Sequence, residues 1–184
     1  MLPSSPARSV DTAAADGPDL LLRAVDLDGL APGRLFLTAM PGRTGTLRAD
    51  LRQISAQEIT TILRLTDLAE VTSLSPDYAT AWASGADLPP RRISHPIPDF
   101  STPSDSGSYR QMTQSIANRL QDGERVLIHC AAGIGRTGMT AIAVLCALGL
   151  APEEARKRVA AAGSGPETPA QKAFVQELVG HAGD

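Results

Sequence analysis

Residues 126–138 read Val126-Leu127-Ile128-His129-Cys130-Ala131-Ala132-Gly133-Ile134-Gly135-Arg136-Thr137-Gly138. The run Val126 to Ile128 is apolar and mostly branched, with the length of a short buried strand. A glycine-containing loop follows. Met139 to Leu148 is then apolar and Ala-rich with no breaker, which predicts a buried helix. Cys130 therefore falls where a strand ends, and Arg136 where a helix begins.

That order has a chemical consequence. The loop N–H groups and the first unpaired N–H groups of the helix can point into one cup, and the helix dipole adds positive potential there. Gly133 and Gly135 allow successive N–H groups to converge into an anion nest. A thiol at the rim of such a cup is expected as the thiolate near neutral pH. Arg136 carries a planar fork that suits two phosphate oxygens. Thr137 is expected to bring its hydroxyl within reach of the Cys130 sulfur or of a departing phosphate, and His129 to hold the loop through a side-chain hydrogen bond.

The rest of the composition bounds the function. At 184 residues the chain suits one domain, expected over residues 19–184, behind a polar, Pro- and Ser-containing leader at 1–18. Hydrophobic residues make up 42% and aromatics only 3%, so the core must be built from Leu, Val, Ile and Ala, and a base-stacking nucleic-acid surface is disfavoured. A net charge of −3 gives no general attraction to nucleic acid or anionic membrane, so any pull on phosphate must be local. No run is long enough to span a bilayer. Cys130 and Cys146 form no disulfide framework. Cys146, inside the apolar helix, reads as a core residue. A reducing, cytoplasmic setting and a monomer are expected. His95, His129 and His181 are scattered and Cys146 does not join them in a ligand spacing, so no metal and no cofactor is expected.

Taken in order, the chain reads as α/β. Leu20 to Val25 suits a first edge strand, and Arg34 to Met40 a strand closed by the turn pair Pro41-Gly42. Leu47, Leu51 and Ile54 share a helical face over Leu47 to Gln57, and Ile59 to Leu65 is a β-branched strand. Strand, helix, strand at this spacing predicts a βαβ unit and a central, mostly parallel sheet flanked by helices. Asp67 to Leu74 reads as a functional loop after a strand end. A helix over Pro76 to Ala86 is expected to be capped by Ser75, with Tyr78 and Trp82 on its packing face. Arg92 to Pro96 reads as a strand, then a Pro-rich loop, then an amphipathic helix over Ser108 to Leu120 that ends at Gly123. Helices over Pro152 to Ala162 and Pro169 to Val179 follow. Thr168 is the cap of the last, and Phe174, Val175 and Leu178 face inward.

The pattern His129-Cys130-x-x-Gly133-x-x-Arg136-Thr137-Gly138 resembles the signature of cysteine-dependent protein tyrosine and dual-specificity phosphatases. The run His95-Pro96-Ile97-Pro98-Asp99, the strand and turn Arg34 to Gly42, and Glu167-Thr168-Pro169-Ala170-Gln171 are similar to segments of the kinase-associated phosphatase branch. The resemblance implies the protein tyrosine phosphatase-like fold and a metal-independent phosphoric monoester hydrolase. In such an enzyme Cys130 would attack phosphorus to form a phosphocysteine, Arg136 and the loop from His129 through Ala131, Ala132, Gly133, Ile134 and Gly135 would hold the phosphate, and Thr137 would assist departure of the sulfur. The departing oxygen needs a proton. The resemblance assigns that proton to Asp99, while Asp105, just before a helix, suits an N-cap better. Gln171 would lie near the site and position water, the alternative being an exposed residue in the first turn of the last helix. The chain departs from the branch at Ala162-Gly163-Ser164-Gly165, where the family carries an Arg-Pro pair.

Ala131, Ala132 and Ile134 give the loop no extra charge. That favours a singly phosphorylated substrate, phosphotyrosine or phosphoserine/threonine in a protein. The alternatives are an inositol phosphate or nucleotide phosphatase, and a phosphoprotein-binding adaptor without turnover. An intact reactive thiol counts against the adaptor.

Overall fold

The computed structural model describes residues 20–180, so the expected leader at 1–18 lies outside the described residues, as does the side chain of Leu178. Five strands form one sheet: β1 (Arg23–Val25), β2 (Arg34–Thr38), β3 (Thr61–Arg64), β4 (Arg91–Ser94) and β5 (Arg125–His129). Their order is β1-β2-β5-β3-β4. Only β1 runs antiparallel, paired with β2. The neighbours β2–β5, β5–β3 and β3–β4 are parallel.

The βαβ expectation holds with one addition. β2 and β3 do run the same way with helix α1 (Leu47–Ala56) between them in the chain, but β5 lies between them in space. Val126, Leu127 and Ile128 are fully buried. A continuous apolar run has no polar face to offer solvent, so it occupies the middle of the sheet with a helical layer over each face.

One layer is made by α1, α2 (Leu68–Leu74) and α3 (Pro76–Ser84). Ile54, Val71 and Tyr78 from these helices cluster with Phe36, Ile62 and Leu127 of the sheet. The other layer is α4 (Ser106–Gln121), α5 (Gly135–Ala147), α6 (Pro152–Ala161) and α7 (Pro169–Gly180). There Ile116, Leu120, Met139, Val144, Val159 and Val175 join Leu37, Leu63 and Ile128 in the larger cluster. Within that layer α5 is buried along nearly its whole length. A helix apolar on all sides belongs in the interior.

Two local expectations are corrected. Residues 68–74 form a helix, not a loop. The Asp67 carboxylate accepts the Glu70 N–H at 2.7 Å and caps it. The spacing Asp67-x-x-Glu70 followed by Val71 is a helix-start signal legible in the sequence. Ser75 makes no side-chain cap to α3, and its Oγ has no hydrogen bond among the described residues. Ser75 is also the last cap of α2, its N–H bonded to Val71 O at 2.8 Å, so its backbone serves two helices at once. Asp105 is a cap, as the alternative reading had it, accepting from the N–H groups of Gly107 and Ser108 at 2.9 and 3.1 Å.

Helix α5 begins at Gly135, a turn before the apolar run, so Arg136 and Thr137 lie in its first turn. Its close approach to the α6–α7 connection depends on Gly138, where a Cβ would collide with the backbone of Gly165.

Candidate active site

The loop from Cys130 to Ile134 joins the C-terminal end of the central strand to the N-terminus of the most buried helix. Gly133 has φ +74°, and a Cβ there would run into the backbone of Thr38 and Ala39. Only glycine meets both demands. The turn it makes aims the Gly133 N–H at the Cys130 sulfur, 3.3 Å away. Cys130, Ala131, Gly133 and Gly135 are buried, while Ala132 and Ile134 are exposed.

His129 is fully buried and braces the loop from beneath. Its Nδ1 lies 3.1 Å from the Cys130 carbonyl and its Nε2 lies 2.8 Å from the Tyr78 hydroxyl. A carbonyl only accepts, so Nδ1 carries the proton. Burial pushes the imidazole pKa down to about 4; the Cys130 carbonyl opposes this, and the charges of Arg64 and Arg136 reinforce it. The ring is therefore neutral, and Nε2 accepts from Tyr78. Burial holds the Tyr78 hydroxyl well above the ordinary phenol range, so it remains a donor. The expected loop-holding role of His129 matches this geometry, and Tyr78, read only as a packing residue, completes it.

Arg136 is almost entirely buried, and its terminal nitrogens are already engaged. Nη1 and Nη2 donate to the two carboxylate oxygens of Glu70 at 2.8 and 2.7 Å. Nη1 also donates to Ile97 O at 3.0 Å, and Nη2 pairs with Asp99 Oδ1 at 2.9 Å. The fork expected to await phosphate is thus held by Glu70, because a buried guanidinium requires a charge partner. Burial pulls the Arg136 pKa down, but the Glu70 hydrogen bonds and the charges of Cys130, Glu70 and Asp99 outweigh it and hold the group above its ordinary value. Glu70 is the main residue that sequence reasoning missed. Its segment was read as a loop, and the pairing spans 66 positions.

Asp99 sits exposed on the turn after Ile97, with its carboxylate also accepting the Phe100 N–H at 3.0 Å. Phe100 follows at φ +55°, a conformation that bulky residues rarely adopt. Gln171 is buried, not an exposed first-turn residue. Its Nε2 donates to Ser101 O at 3.1 Å, and its Oε1 accepts from the Glu167 N–H at 2.9 Å. It therefore ties the start of α7 to the Asp99 loop, beside Gly135. Its amide is bonded to backbone groups of both segments. Thr137 is buried, and its Oγ1 makes no hydrogen bond among the described residues, to Cys130 or to any other group. Among the described residues no cluster of metal-ligating side chains occurs, and no helix is long and apolar enough to cross a membrane. Both cysteines are free, and burial raises the Cys146 thiol pKa.

The family described as a Swiss Army Knife protein, DSP-PTPase phosphatase domain, matches residues 27–177. The chain belongs to this DSP-PTPase family. The match runs from just after β1 into α7, so it takes in the Cys130 loop, Asp99 and Glu70 together. Among curated relatives, rat cyclin-dependent kinase inhibitor 3 is 38% identical over 63 residues, 33% of this chain. Over that match the chain spans 29% of the relative's length. Among solved structures, the kinase associated phosphatase with its catalytic-site cysteine substituted by serine superposes with a TM-score of 0.77 at 20% identity, covering 91% of this chain and 98% of that one. The phosphatase Tk-PTP in its active form gives 0.63 at 26% identity, covering 86% and 97%. The α/β architecture of the DSP-PTPase fold is thus common to all three.

Two expected outcomes test this geometry. Glu70→Gln leaves the buried Arg136 with only the exposed Asp99 as an ionic partner and should cost about 2 kcal/mol of stability. A denaturation midpoint unchanged from wild type would show the fork to be dispensable. For His129, the folded pKa of about 4 lies below the 6.5 of free imidazole. Between those values the unfolded chain binds a proton that the folded chain excludes, so this group makes stability fall as pH drops through the window. Denaturant midpoints of His129→Asn should fall less steeply than wild type between about pH 7 and 4.5. Parallel profiles would mean that the imidazole does not stay neutral.

Proposed function

We propose that this chain is a protein phosphatase, a metal-independent phosphoric monoester hydrolase acting on phosphotyrosine and on phosphoserine/threonine through a phosphocysteine intermediate. The observation that carries the reading is the meeting of three groups from two segments that are distant in the chain. Cys130 lies in an N–H-lined loop at a helix N-terminus, Arg136 in the first turn of that helix, and Asp99 bonded to Arg136 at 2.9 Å.

In the first step the Cys130 thiolate attacks phosphorus and the bond to the ester oxygen breaks. Asp99 delivers its proton to that oxygen. A phosphate oxygen arriving at Arg136 Nη2 displaces the Asp99 carboxylate, which takes up a proton from solvent as it leaves the guanidinium and carries it toward the leaving group. Loop N–H groups and Arg136 stabilise the equatorial oxygens as charge spreads over them. In the second step Asp99 takes a proton from water, water attacks the phosphocysteine, and the sulfur–phosphorus bond breaks to release inorganic phosphate. Thr137, with no other hydrogen bond among the described residues, is the hydroxyl available to the departing sulfur.

The substrate reading rests on the rim. Leu68 is 56% exposed, Phe100 63% and Ile134 39%. They neighbour Glu70, Asp99 and Gly133 in sequence, and apolar groups beside these residues would suit an aromatic phosphoester. The uncharged loop residues Ala131, Ala132 and Ile134 favour a single phosphate over a polyphosphate. A nucleophile that must stay reduced suits the cytoplasm, and we assign the enzyme there as a monomer.

Release of phosphate from para-nitrophenyl phosphate should continue with chelator present and disappear in Cys130→Ser. Asp99→Asn should lower turnover by about a hundredfold or more. Turnover that survives Cys130→Ser, or that chelator abolishes, would overturn the mechanism.

A further inference from the structure

A trans peptide is planar, so its C=O and N–H point in opposite directions, and fixing one fixes the other. In the Cys130 loop the carbonyls are held one by one on the outside. The Cys130 carbonyl accepts from His129 Nδ1, and the Ala131 carbonyl from the Met40 N–H at 3.0 Å. The Ser164 hydroxyl, itself buried, lies 3.1 Å from Gly133 O and 2.9 Å from Ile134 O and shares its proton between them. Gly133 O has a second and charged partner in Arg23 Nη2, while Arg23 Nη1 donates to Gly163 O at 2.5 Å. Each anchored carbonyl turns the next N–H to the opposite side. The N–H groups so directed are those of Ala131, Ala132, Ile134 and Gly135, and the remaining one, of Gly133, is already on the sulfur.

We infer that Arg23 is a positioning residue for phosphate: its guanidinium, forked between Gly133 O and Gly163 O and backed by Ser164, holds the loop in the form whose N–H groups converge on the anion. This rests on the phosphatase reading of the cup. Arg23 stands at the start of β1, an edge strand outside the Cys130 pattern and ahead of the family match, which begins at residue 27. The connection after α6 lacks the family's Arg-Pro pair, and here the guanidinium at that connection comes from the opposite end of the chain. The fork does two things. It clamps the α6–α7 connection to the loop, and it sets a fixed cation behind the cup. Burial pulls the Arg23 pKa down, and the charge of Cys130 pushes it back up, so sulfur and guanidinium are close enough to interact electrostatically.

Arg23→Met keeps the length of the side chain and removes the fork and the charge. Tungstate, a phosphate-shaped oxyanion that needs no turnover, is the probe, titrated by calorimetry against wild type, Arg23→Met and Ser164→Ala. Arg23→Met should weaken tungstate binding about tenfold and raise KM for para-nitrophenyl phosphate with it, with kcat changed less. A brace that served only stability would lower the melting temperature and leave tungstate affinity alone. Ser164→Ala should move affinity in the same direction and keeps the test decisive where Arg23→Met folds poorly. Tungstate binding within twofold of wild type in the folded variants would overturn the inference while leaving the phosphatase reading intact. A wild type that binds no tungstate would overturn both.

Discussion

A buried guanidinium is the constraint around which the site is arranged. Arg136 has almost no exposure, and a cation in that position is tolerated only with an ionised partner and filled hydrogen-bonding positions. Glu70 supplies the charge from α2, Ile97 a carbonyl from the turn after β4, and Asp99 a second carboxylate. Two segments far apart in sequence, α2 and the turn after β4, are thus tied to the first turn of α5. The same arrangement brings the groups that phosphate chemistry needs to one place. The interaction that satisfies the buried charge also delivers Asp99 to the rim of the cup.

Beneath the loop, the sheet provides a polar row at the C-terminal ends of its strands. Thr38, His129, Arg64 and Ser94 are register partners across β2, β5, β3 and β4, so their side chains share one face. Arg64 donates to Ser94 Oγ at 2.9 Å and stacks over Trp82, with 4.6 Å from its guanidinium carbon to the ring centroid. Burial lowers its pKa, yet an arginine remains charged, and that charge helps keep His129 neutral. A neutral His129 can donate to the Cys130 carbonyl and accept from Tyr78 at once. The α1–α3 layer is therefore more than packing. Through Tyr78 and Trp82 it sets the electrostatics and hydrogen bonding under the Cys130 loop.

Much of this was legible in the residues themselves. Helix, strand and cap patterns located the elements from β2 to α7, α2 apart, to within a few positions, because apolar periodicity and Gly/Pro breaks report local backbone preference. Cys130, Gly133 and Arg136 were legible together because a strand–loop–helix turn forces a fixed spacing along the chain. Residues 68–74 were misread because a seven-residue helix has little periodicity to detect, although the cap pair Asp67 and Glu70 was present. Ser75 was misread because its residue type suits a cap before Pro76, while its Oγ makes no bond to α3.

By itself, then, the sequence determined the Cys130 loop, the order of elements and the family, since each is written in residues that are neighbours in the chain. Tertiary structure alone decided that Glu70 takes the Arg136 fork, that Tyr78 completes the His129 brace, that Gln171 staples α7 to the Asp99 loop, and that Arg23 reaches Gly133 across 110 positions. These pairings answer to the unmet charge and hydrogen-bonding demand of buried groups. Which residue meets such a demand depends on what the packed sheet and helices bring near, and no local pattern in the chain records it.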